Sequence, residues 1–152
     1  MPQMCGVFFF GEARKKTPIN QKKSMFYYDK EGLFPGMERK SGIRKFSDNE
    51  IEALRVIECL KASGLEIREI KQFMEWTTEG SATYNQRKQL FETRLKKVEE
   101  EMHHLQKTMD MLKYKCWYYE NAIQDGNEDR ILSMLPDKLP HEIQKLFDNA
   151  HK

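Results

Sequence analysis

The feature that most constrains the fold is a run of apolar residues spaced alternately by four and three. It begins at Phe91 and continues without a break to Tyr119. This spacing puts the apolar side chains on one stripe of an α-helix, the a and d positions of a coiled coil. A helix over residues 84–124 would be roughly 60 Å long at 1.5 Å per residue. The predicted seam consists of Phe91, Leu95, Val98, Met102, Leu105, Met109 and Leu112, followed by Cys116 and Tyr119.

The residues between the seam positions are mainly Glu, Lys, Arg, Gln and His. A helix of this length and polarity is not stable alone, so its apolar stripe needs a partner. Because the chain has no second seam of this length, the simplest partner is another copy of the chain. The pattern therefore predicts a homodimer, while the order of charges leaves the relative direction of the two helices open.

Positive charge is concentrated near the N-terminal end of the sequence. The net charge is +2, but residues 14–45 hold ten basic and three acidic side chains, so this window carries +7 and the remainder −5. A local excess of this kind favours a polyanionic partner, and the alternative is a solvated basic face. The basic residues are Arg14, Lys15, Lys16, Lys22, Lys23, Lys30, Arg39, Lys40, Arg44 and Lys45.

The same window has helix-start, helix-stop and turn residues at the positions expected for a helix-turn-helix with a wing. A short helix over residues 11–17 would end at Pro18, and Asn20 would cap a second helix that runs to Lys30 and stops before Gly32. A hairpin is expected over residues 37–46, with its turn at residues 40–42. A basic two-stranded ribbon beside a helix-turn-helix is typical of a wing.

Two further helices should complete this domain. Ser47 and Glu50 match the S-x-x-E capping box, which predicts a helix from there to near Gly64. The next helix starts around Glu66, and residues 77–82 look like a polar linker. Beyond Gly126, a short helix over residues 141–150 is expected to pack on the dimer or to stay partly mobile. The core positions would be Ile51, Leu54, Ile57, Leu60, Ile67, Ile70, Phe73 and Met74.

Composition excludes several classes of protein. With 39% apolar and 33% charged residues, the chain suits neither a membrane protein nor a disordered one. The apolar run at residues 5–10 is short and follows no Lys or Arg, so a signal peptide is not expected. Cys5, Cys59 and Cys116 lack metal-ligand spacing, which favours a reduced cytoplasmic protein. No phosphate loop, H-x-x-x-H type zinc motif or nucleophile elbow indicates an enzyme.

Three strings resemble the MerR family of bacterial transcription regulators. Residues 27–35 (YYDKEGLFP) are similar to the signature at the end of its recognition helix, residues 41–47 (SGIRKFS) to its wing, and residues 57–73 to its third and fourth helices. The resemblance covers residues 10–122. It implies a mostly α fold, with a winged helix-turn-helix DNA-binding domain followed by a long antiparallel coiled-coil dimerisation helix. The implied segments are an extension at 1–9, the DNA-binding domain at 10–76, a linker at 77–83, the helix at 84–124 and a tail at 125–152.

The resemblance also implies a function. A dimer would bind double-stranded promoter DNA and distort it for RNA polymerase in response to a small effector or a stress signal. It implies no cofactor and no membrane partner. A tyrosine of the pair at 27 and 28 would donate to a phosphate, with core packing as the alternative. The implied DNA-binding residues are Asn20, Gln21, Lys22, Lys23, Tyr27, Tyr28, Lys30, Arg39, Lys40, Gly42, Arg44 and Lys45.

The sequence departs from the family at two positions of the predicted DNA-binding domain. Phe26 stands where the family has arginine before the tyrosine pair, and Pro18 stands where it has glycine. Loss of the arginine would remove a phosphate or intradomain contact and predicts weaker DNA binding, for which Lys22 and Lys23 could compensate.

Cys59 is the candidate sensor. It resembles the single cysteine of the aldehyde- and nitrosative-stress branch, and Arg55 and Lys61 offer positive charge nearby. The alternative is that it packs as a small hydrophobe. Residues 77–90 hold no cysteine, which argues against the thiolate metal site of the metal-sensing branch. The aromatic run at 113–119 would pack, or line an effector pocket. The competing function is a coiled-coil interaction protein whose basic end binds a protein or a membrane surface.

Overall fold

We analysed a computed structural model, which describes residues 18–35, 39–44 and 46–152; within these ranges it describes side chains for residues 22–35, 41–42 and 46–152. The described chain is mostly α-helical, with one two-stranded ribbon and one long helix, as predicted. Contacts divide it into two compact units that meet at Arg94, inside the long helix. The elements are α1 (Pro18–Lys30), β1 (Arg39–Lys40), β2 (Ile43–Arg44), α2 (Asp48–Ala62), α3 (Ile67–Thr78), a 3-10 turn (Gly80–Thr83), α4 (Tyr84–Asp125), α5 (Asp129–Met134) and α6 (His141–His151).

Helix α1 starts earlier than the sequence predicted. It begins at Pro18, so Asn20 lies inside the helix and is not its N-cap. Proline suits the first helical position, because its fixed φ is helical and the N–H that it lacks would have no partner there. The end is as predicted: the Leu33 N–H donates to the Tyr28 carbonyl at 2.9 Å, which closes the helix at Gly32. The helix predicted over residues 11–17 lies outside the described residues.

The predicted wing is a hairpin with a tighter turn than expected. Strands β1 and β2 are antiparallel, with Arg39 opposite Arg44 and Lys40 opposite Ile43. Lys40 is therefore paired, and the turn consists of Ser41 and Gly42 alone. Both have positive φ, 53° and 77°, as a two-residue hairpin turn requires to match the twist of its strands.

Helices α2 and α3 enclose the core of the first unit. Helix α2 starts with the predicted capping box, in which the Ser47 N–H donates to the Glu50 carboxylate at 2.7 Å. Helix α3 starts with a second box that was not predicted from the sequence, in which the Glu66 N–H donates to the Glu69 carboxylate at 2.9 Å. The hydroxyl and backbone N–H of Ser47 lower the pKa of Glu50. These local bonds satisfy backbone donors that no helical carbonyl can reach. The buried core is Met25, Tyr28, Leu33, Phe34, Leu54, Ile57, Leu60, Leu65, Ile70, Phe73 and Met74.

Residues 77–82, interpreted from the sequence as a polar linker, are structured. Thr77 and Thr78 end α3, and the following 3-10 turn leads directly into α4. Thr83 is 2% exposed, and its hydroxyl donates to the Trp76 carbonyl at 2.7 Å. The Arg87 guanidinium donates to the Gly80 carbonyl at 2.6 Å. The polar residues here bind the carbonyls of Trp76, near the end of α3, and of Gly80, in the 3-10 turn, which explains their presence without an extended linker.

Helix α4 matches the predicted long helix to within a residue at its end. Its seam is largely exposed in the single chain: Met102 and Leu105 are each 66% exposed, and Ile123, one step beyond the predicted seam, is 80% exposed. None of the helices in the described part of the chain is long and apolar enough to span a membrane. From Leu95 to Leu112, the face of α4 with the 4-3 repeat is largely left uncovered by the described residues, whereas Phe91 contacts Phe73 of α3.

The C-terminal tail packs on its own helix, an arrangement that the sequence did not predict. Ile131 of α5 and Leu139 are buried against Tyr114 and Tyr118 of α4, with Phe147 of α6 beside them. Asp110, only 5% exposed, accepts a hydrogen bond from the Gln106 amide at 2.9 Å and lies 3.3 Å from the Asn149 amide of α6. Tail and helix thus form one small core in the second unit.

Candidate nucleic-acid interface

Helix α1 has one buried face and one exposed basic face. Met25 and Tyr28 point into the core, while Lys22, Lys23 and Lys30 are exposed. This division follows from the helical period, because residues three apart share a face. The model describes only the backbone at Asn20 and Gln21, both in the first turns of α1. The helix therefore offers a solvent-accessible cationic surface on the side away from its core.

Tyr27 and Tyr28, which the sequence does not distinguish, differ in their exposure to solvent. Tyr28 is 7% exposed and belongs to the core, whereas Tyr27 is 47% exposed. Burial, together with the nearby Glu58 carboxylate, raises the pKa of Tyr28, so its phenol stays protonated at neutral pH. Tyr27 is thus the tyrosine whose ring is open to a ligand, and Tyr28 fixes α1 to the domain.

Phe26 packs against Phe46, the residue that follows the wing. Its ring meets Phe46 edge-on at 5.6 Å between centroids, and Phe34 meets the same ring at 6.4 Å. Such edge-to-face pairs add to the stability that apolar burial provides. Phe26 remains 48% exposed. Phe26 therefore supplies an aromatic contact between α1 and the end of the hairpin.

The wing brings basic residues into register. Arg39 and Arg44 are directly opposed across the two strands, and Gly42 is exposed at the turn beside Ser41. Lys40 faces Ile43 across the ribbon. The remaining wing residue in the predicted set, Lys45, lies outside the described residues.

Lys61 is a cation of this surface that sequence reasoning did not assign to DNA. It lies near the end of α2, and its Nζ is 5.8 Å from the Tyr27 ring centroid and 5.9 Å from that of Tyr28. The side chain is exposed, so a cation from a different helix stands beside the exposed tyrosine of α1. No local pattern signals this, because the pairing depends on how α2 packs against α1.

Cys59 is half-buried on α2. The two cations proposed to stabilise its thiolate have other contacts: Arg55 pairs with Glu52, and Lys61 lies over the tyrosine rings. The Cys59 carbonyl accepts from the Ser63 hydroxyl at 2.9 Å and from the Ser63 N–H at 3.1 Å. Cys116 is exposed on α4. Within the described ranges no three His, Cys, Asp or Glu side chains are placed to bind a metal ion.

The aromatic run near the end of α4 is divided between two faces. Tyr114 and Tyr118 are buried under the tail, and burial raises the pKa of Tyr114. Phe147 meets the Tyr114 ring edge-on at 5.2 Å. Tyr119, a seam residue, stays 55% exposed. The run therefore supplies core on one face and seam on another.

Comparisons with known proteins agree with this geometry. The family model for the MerR helix-turn-helix regulatory proteins matches residues 11–76, and a second, for the MerR DNA-binding region, matches residues 51–114. An uncharacterized helix-turn-helix transcriptional regulator of Haemophilus influenzae is 38% identical over 113 residues, which are 73% of this chain and 84% of the relative. The regulator AdhR of Bacillus subtilis is 35% identical over 65 residues, 42% of this chain and 46% of its own.

A solved structure adds a nucleic-acid complex to these relatives. HiNmlR, a MerR family regulator lacking the sensor domain, was crystallised bound to promoter DNA. It is 35% identical to this chain, with a TM-score of 0.53, over 71% of this chain and 86% of HiNmlR. The exposed basic surface of α1, the basic hairpin and the long helix are thus explained together: the chain belongs to the MerR family of DNA-binding transcriptional regulators.

Proposed function

We propose that the chain works as a homodimer that binds promoter duplex DNA through α1 and the wing, and distorts it in response to a chemical signal. The observation that carries the proposal is the exposed cationic surface of Lys22, Lys23 and Lys30, which Lys61 extends beside the open ring of Tyr27. Phosphate contacts of this kind position a protein on DNA, while base edges supply the sequence information. Asn20 and Gln21, near the start of α1, are the candidates for adenine contacts.

The register of the wing supports the same partner. Like charges directly opposite each other across a hairpin destabilise it, yet Arg39 and Arg44 are paired in this way. A phosphate backbone would neutralise both residues. Arg39, Lys40, Arg44 and Lys45 would then hold the DNA backbone beside the groove that α1 occupies.

The homodimer is supported by the exposure of the seam. Leu95, Leu105 and Leu112 are 57%, 66% and 54% exposed in the single chain. The tail covers Tyr114, Trp117 and Tyr118 instead, so the packing of the tail does not compete with a seam partner. The proposed dimer interface remains Phe91, Leu95, Val98, Met102, Leu105, Met109 and Leu112.

Distortion of the promoter is the proposed output. HiNmlR was crystallised on promoter DNA, and family membership motivates a mechanism in which a dimer changes the bend and twist of a promoter. Smooth bending of a short DNA site costs on the order of 1–6 kcal/mol, which contacts from two DNA-binding domains and their wings can offset. RNA polymerase would then find its two promoter elements on one face of the duplex.

A titration with labelled promoter duplex tests DNA binding. We expect fluorescence anisotropy to show an affinity that falls about 10³–10⁵-fold between 50 and 200 mM salt, as for proteins with several phosphate contacts. Lys61→Ala should lower the slope of log affinity against log salt by about one, because one phosphate contact is lost. Lys138→Ala, an exposed lysine of the tail, serves as the matched control. Weak, salt-independent binding would favour the alternative of a coiled-coil interaction protein with a basic end.

Cys59 is the proposed signal site, and its replacement by serine tests this role. A Cys59 thiolate would add to the carbonyl carbon of a small aldehyde, forming a C–S bond while the oxygen takes up a proton. We expect Cys59→Ser to remove the response to formaldehyde in an in vitro transcription assay and to leave DNA affinity within about twofold, since serine keeps the size of the side chain. Cys116→Ser, on the exposed thiol of α4, is the control. A response retained by Cys59→Ser and lost by Cys116→Ser would reverse the assignment.

A further inference from the structure

The end of α2 forms a small receptor for a cation. Helix α2 stops at Ala62, which leaves carbonyl groups at its C-terminal end without helical partners. Gly64 follows with φ +85°, and the Leu65 N–H returns to the Leu60 carbonyl at 3.2 Å. The negative end of the helix dipole lies at these carbonyls and favours a positive charge there.

Arg94 of α4 occupies this receptor. Its Nε donates to the Ser63 carbonyl at 2.6 Å, across 31 residues of chain. Its guanidinium covers Gly64 so closely that a Cβ built there would lie 2.3 Å from one terminal nitrogen. The positive φ at position 64 favours glycine, and a side chain there would also displace the Arg94 guanidinium. We call Arg94, Ser63 and Gly64 the α2 clamp.

Other contacts at the start of α4 go to α3, to the 3-10 turn and, through Leu90, to the core of the first unit. Arg87 donates to the Gly80 carbonyl at 2.6 Å, and Phe91 meets Phe73 edge-on at 5.4 Å between centroids. The Arg94 bond is the hydrogen bond in this set that reaches α2, whose surface contributes Lys61 beside Tyr27. A hydrogen bond at the end of α2, added to the contacts on α3, the 3-10 turn and the core, restricts the tilt of the first turns of α4.

We propose that Arg94 is a positioning residue for DNA binding: by closing the α2 clamp, it fixes the direction of the first turns of α4 against α2, within the DNA-binding unit. The inference rests on the proposed homodimer, in which that direction would set the separation of the two DNA-binding domains. A dimer that binds two half-sites must match their spacing, about 34–36 Å for sites one helical turn apart. Loss of the clamp would therefore weaken binding to a complete site and leave binding to a single half-site intact.

The clamp also connects the cysteine to α4. The hydroxyl and N–H of Ser63 bind the Cys59 carbonyl, and the Ser63 carbonyl accepts from Arg94. A group added to Cys59 that displaces this last turn of α2 would move the carbonyl that Arg94 holds. The signal would thus reach the start of the dimerisation helix through a single residue, Ser63.

The test compares a complete operator, defined by footprinting, with a duplex trimmed to one half-site. We expect Arg94→Ala to lower affinity for the complete operator about tenfold, the typical size of a lost charge-assisted hydrogen bond, with half-site affinity unchanged. Arg94→Lys keeps the charge but loses the planar guanidinium donor. Its affinity for the complete operator should lie between those of Arg94→Ala and the parent. Lys96→Ala, an exposed lysine two residues further along α4, removes the same charge and should match the parent.

A second variant and a spacing series separate positioning from stability. Gly64→Ala should displace the guanidinium and reproduce the spacing defect, and its combination with Arg94→Ala should be less than additive. Inserting one or two base pairs between the half-sites should lower the DNA affinity of Arg94→Ala less than it lowers that of the parent. Equal losses on both duplexes, tracking a lower melting temperature, would overturn the inference. A parent chain that binds complete and half operators equally would instead contradict the proposed dimer.

Discussion

Replacing Leu105 with lysine is expected to convert the dimer to monomers and to weaken binding to a complete operator by about 10²–10⁴-fold, the advantage that linking two heads provides. Leu105 lies in the middle of the predicted seam and is 66% exposed in the single chain. In a paired seam, the Leu105 side chain of each copy would be buried against the other copy. Two lysines at the centre of an apolar interface would bring their ammonium groups out of water without an opposing charge.

Sedimentation equilibrium measures the mass, and anisotropy on the complete operator measures the affinity. The control is His103→Lys, which introduces the same side chain two residues away at an exposed position outside the seam. This variant should remain dimeric and bind normally. A Leu105→Lys protein that sediments at the dimer mass would contradict the seam, whatever its affinity for DNA.

Replacing Ile131 with alanine is expected to destabilise the second unit by about 2–5 kcal/mol, the usual loss for a buried aliphatic side chain cut to alanine. Ile131 is 0% exposed and lies in the cluster formed by Tyr114, Tyr118 and Leu139. Removing its side chain leaves a cavity beneath α5 that the surrounding rings cannot fully close. The short helices of the tail have little stability apart from this packing.

Hydrogen exchange at the amides of α6 reports the loss directly, because opening of the tail exposes them to solvent. The adjacent residue gives a closely matched control: Leu132 is 53% exposed, and Leu132→Ala removes as many carbon atoms. Its effect should stay within about 0.5 kcal/mol, as for other surface substitutions. Equal exchange rates in the two variants would show that the tail is not held by the Ile131 contacts.

Much of the secondary structure was predictable because its causes are local. The S-x-x-E box at Ser47 and Glu50 starts α2, and the 4-3 apolar repeat predicts α4 almost to its last residue. Such features depend on residues within one or two helical turns, which the sequence displays directly. The start of α1 was wrong for a reason equally local: proline at its first position was interpreted as a stop, although proline is favoured there.

The surface that faces a ligand was less predictable. Tyr27 and Tyr28 are adjacent and chemically identical, and only the packing of α1 on the core buries the second. Lys61 joins the basic surface through a contact with α1, more than thirty residues earlier in the chain. The tail was open between two expectations, and its packing on α4 matches neither.

The amino-acid sequence by itself determined the family, the helices and the exposed seam, because caps, turns and apolar periods act between near neighbours. The tertiary structure decided which side chains those helices present to one another. Burial of Tyr28, the approach of Lys61 to Tyr27, the docking of Ile131 on Tyr114 and Tyr118, and the reach of Arg94 to Ser63 all join residues that are distant in the chain. Contacts of this kind depend on how whole elements pack, and no local pattern encodes them.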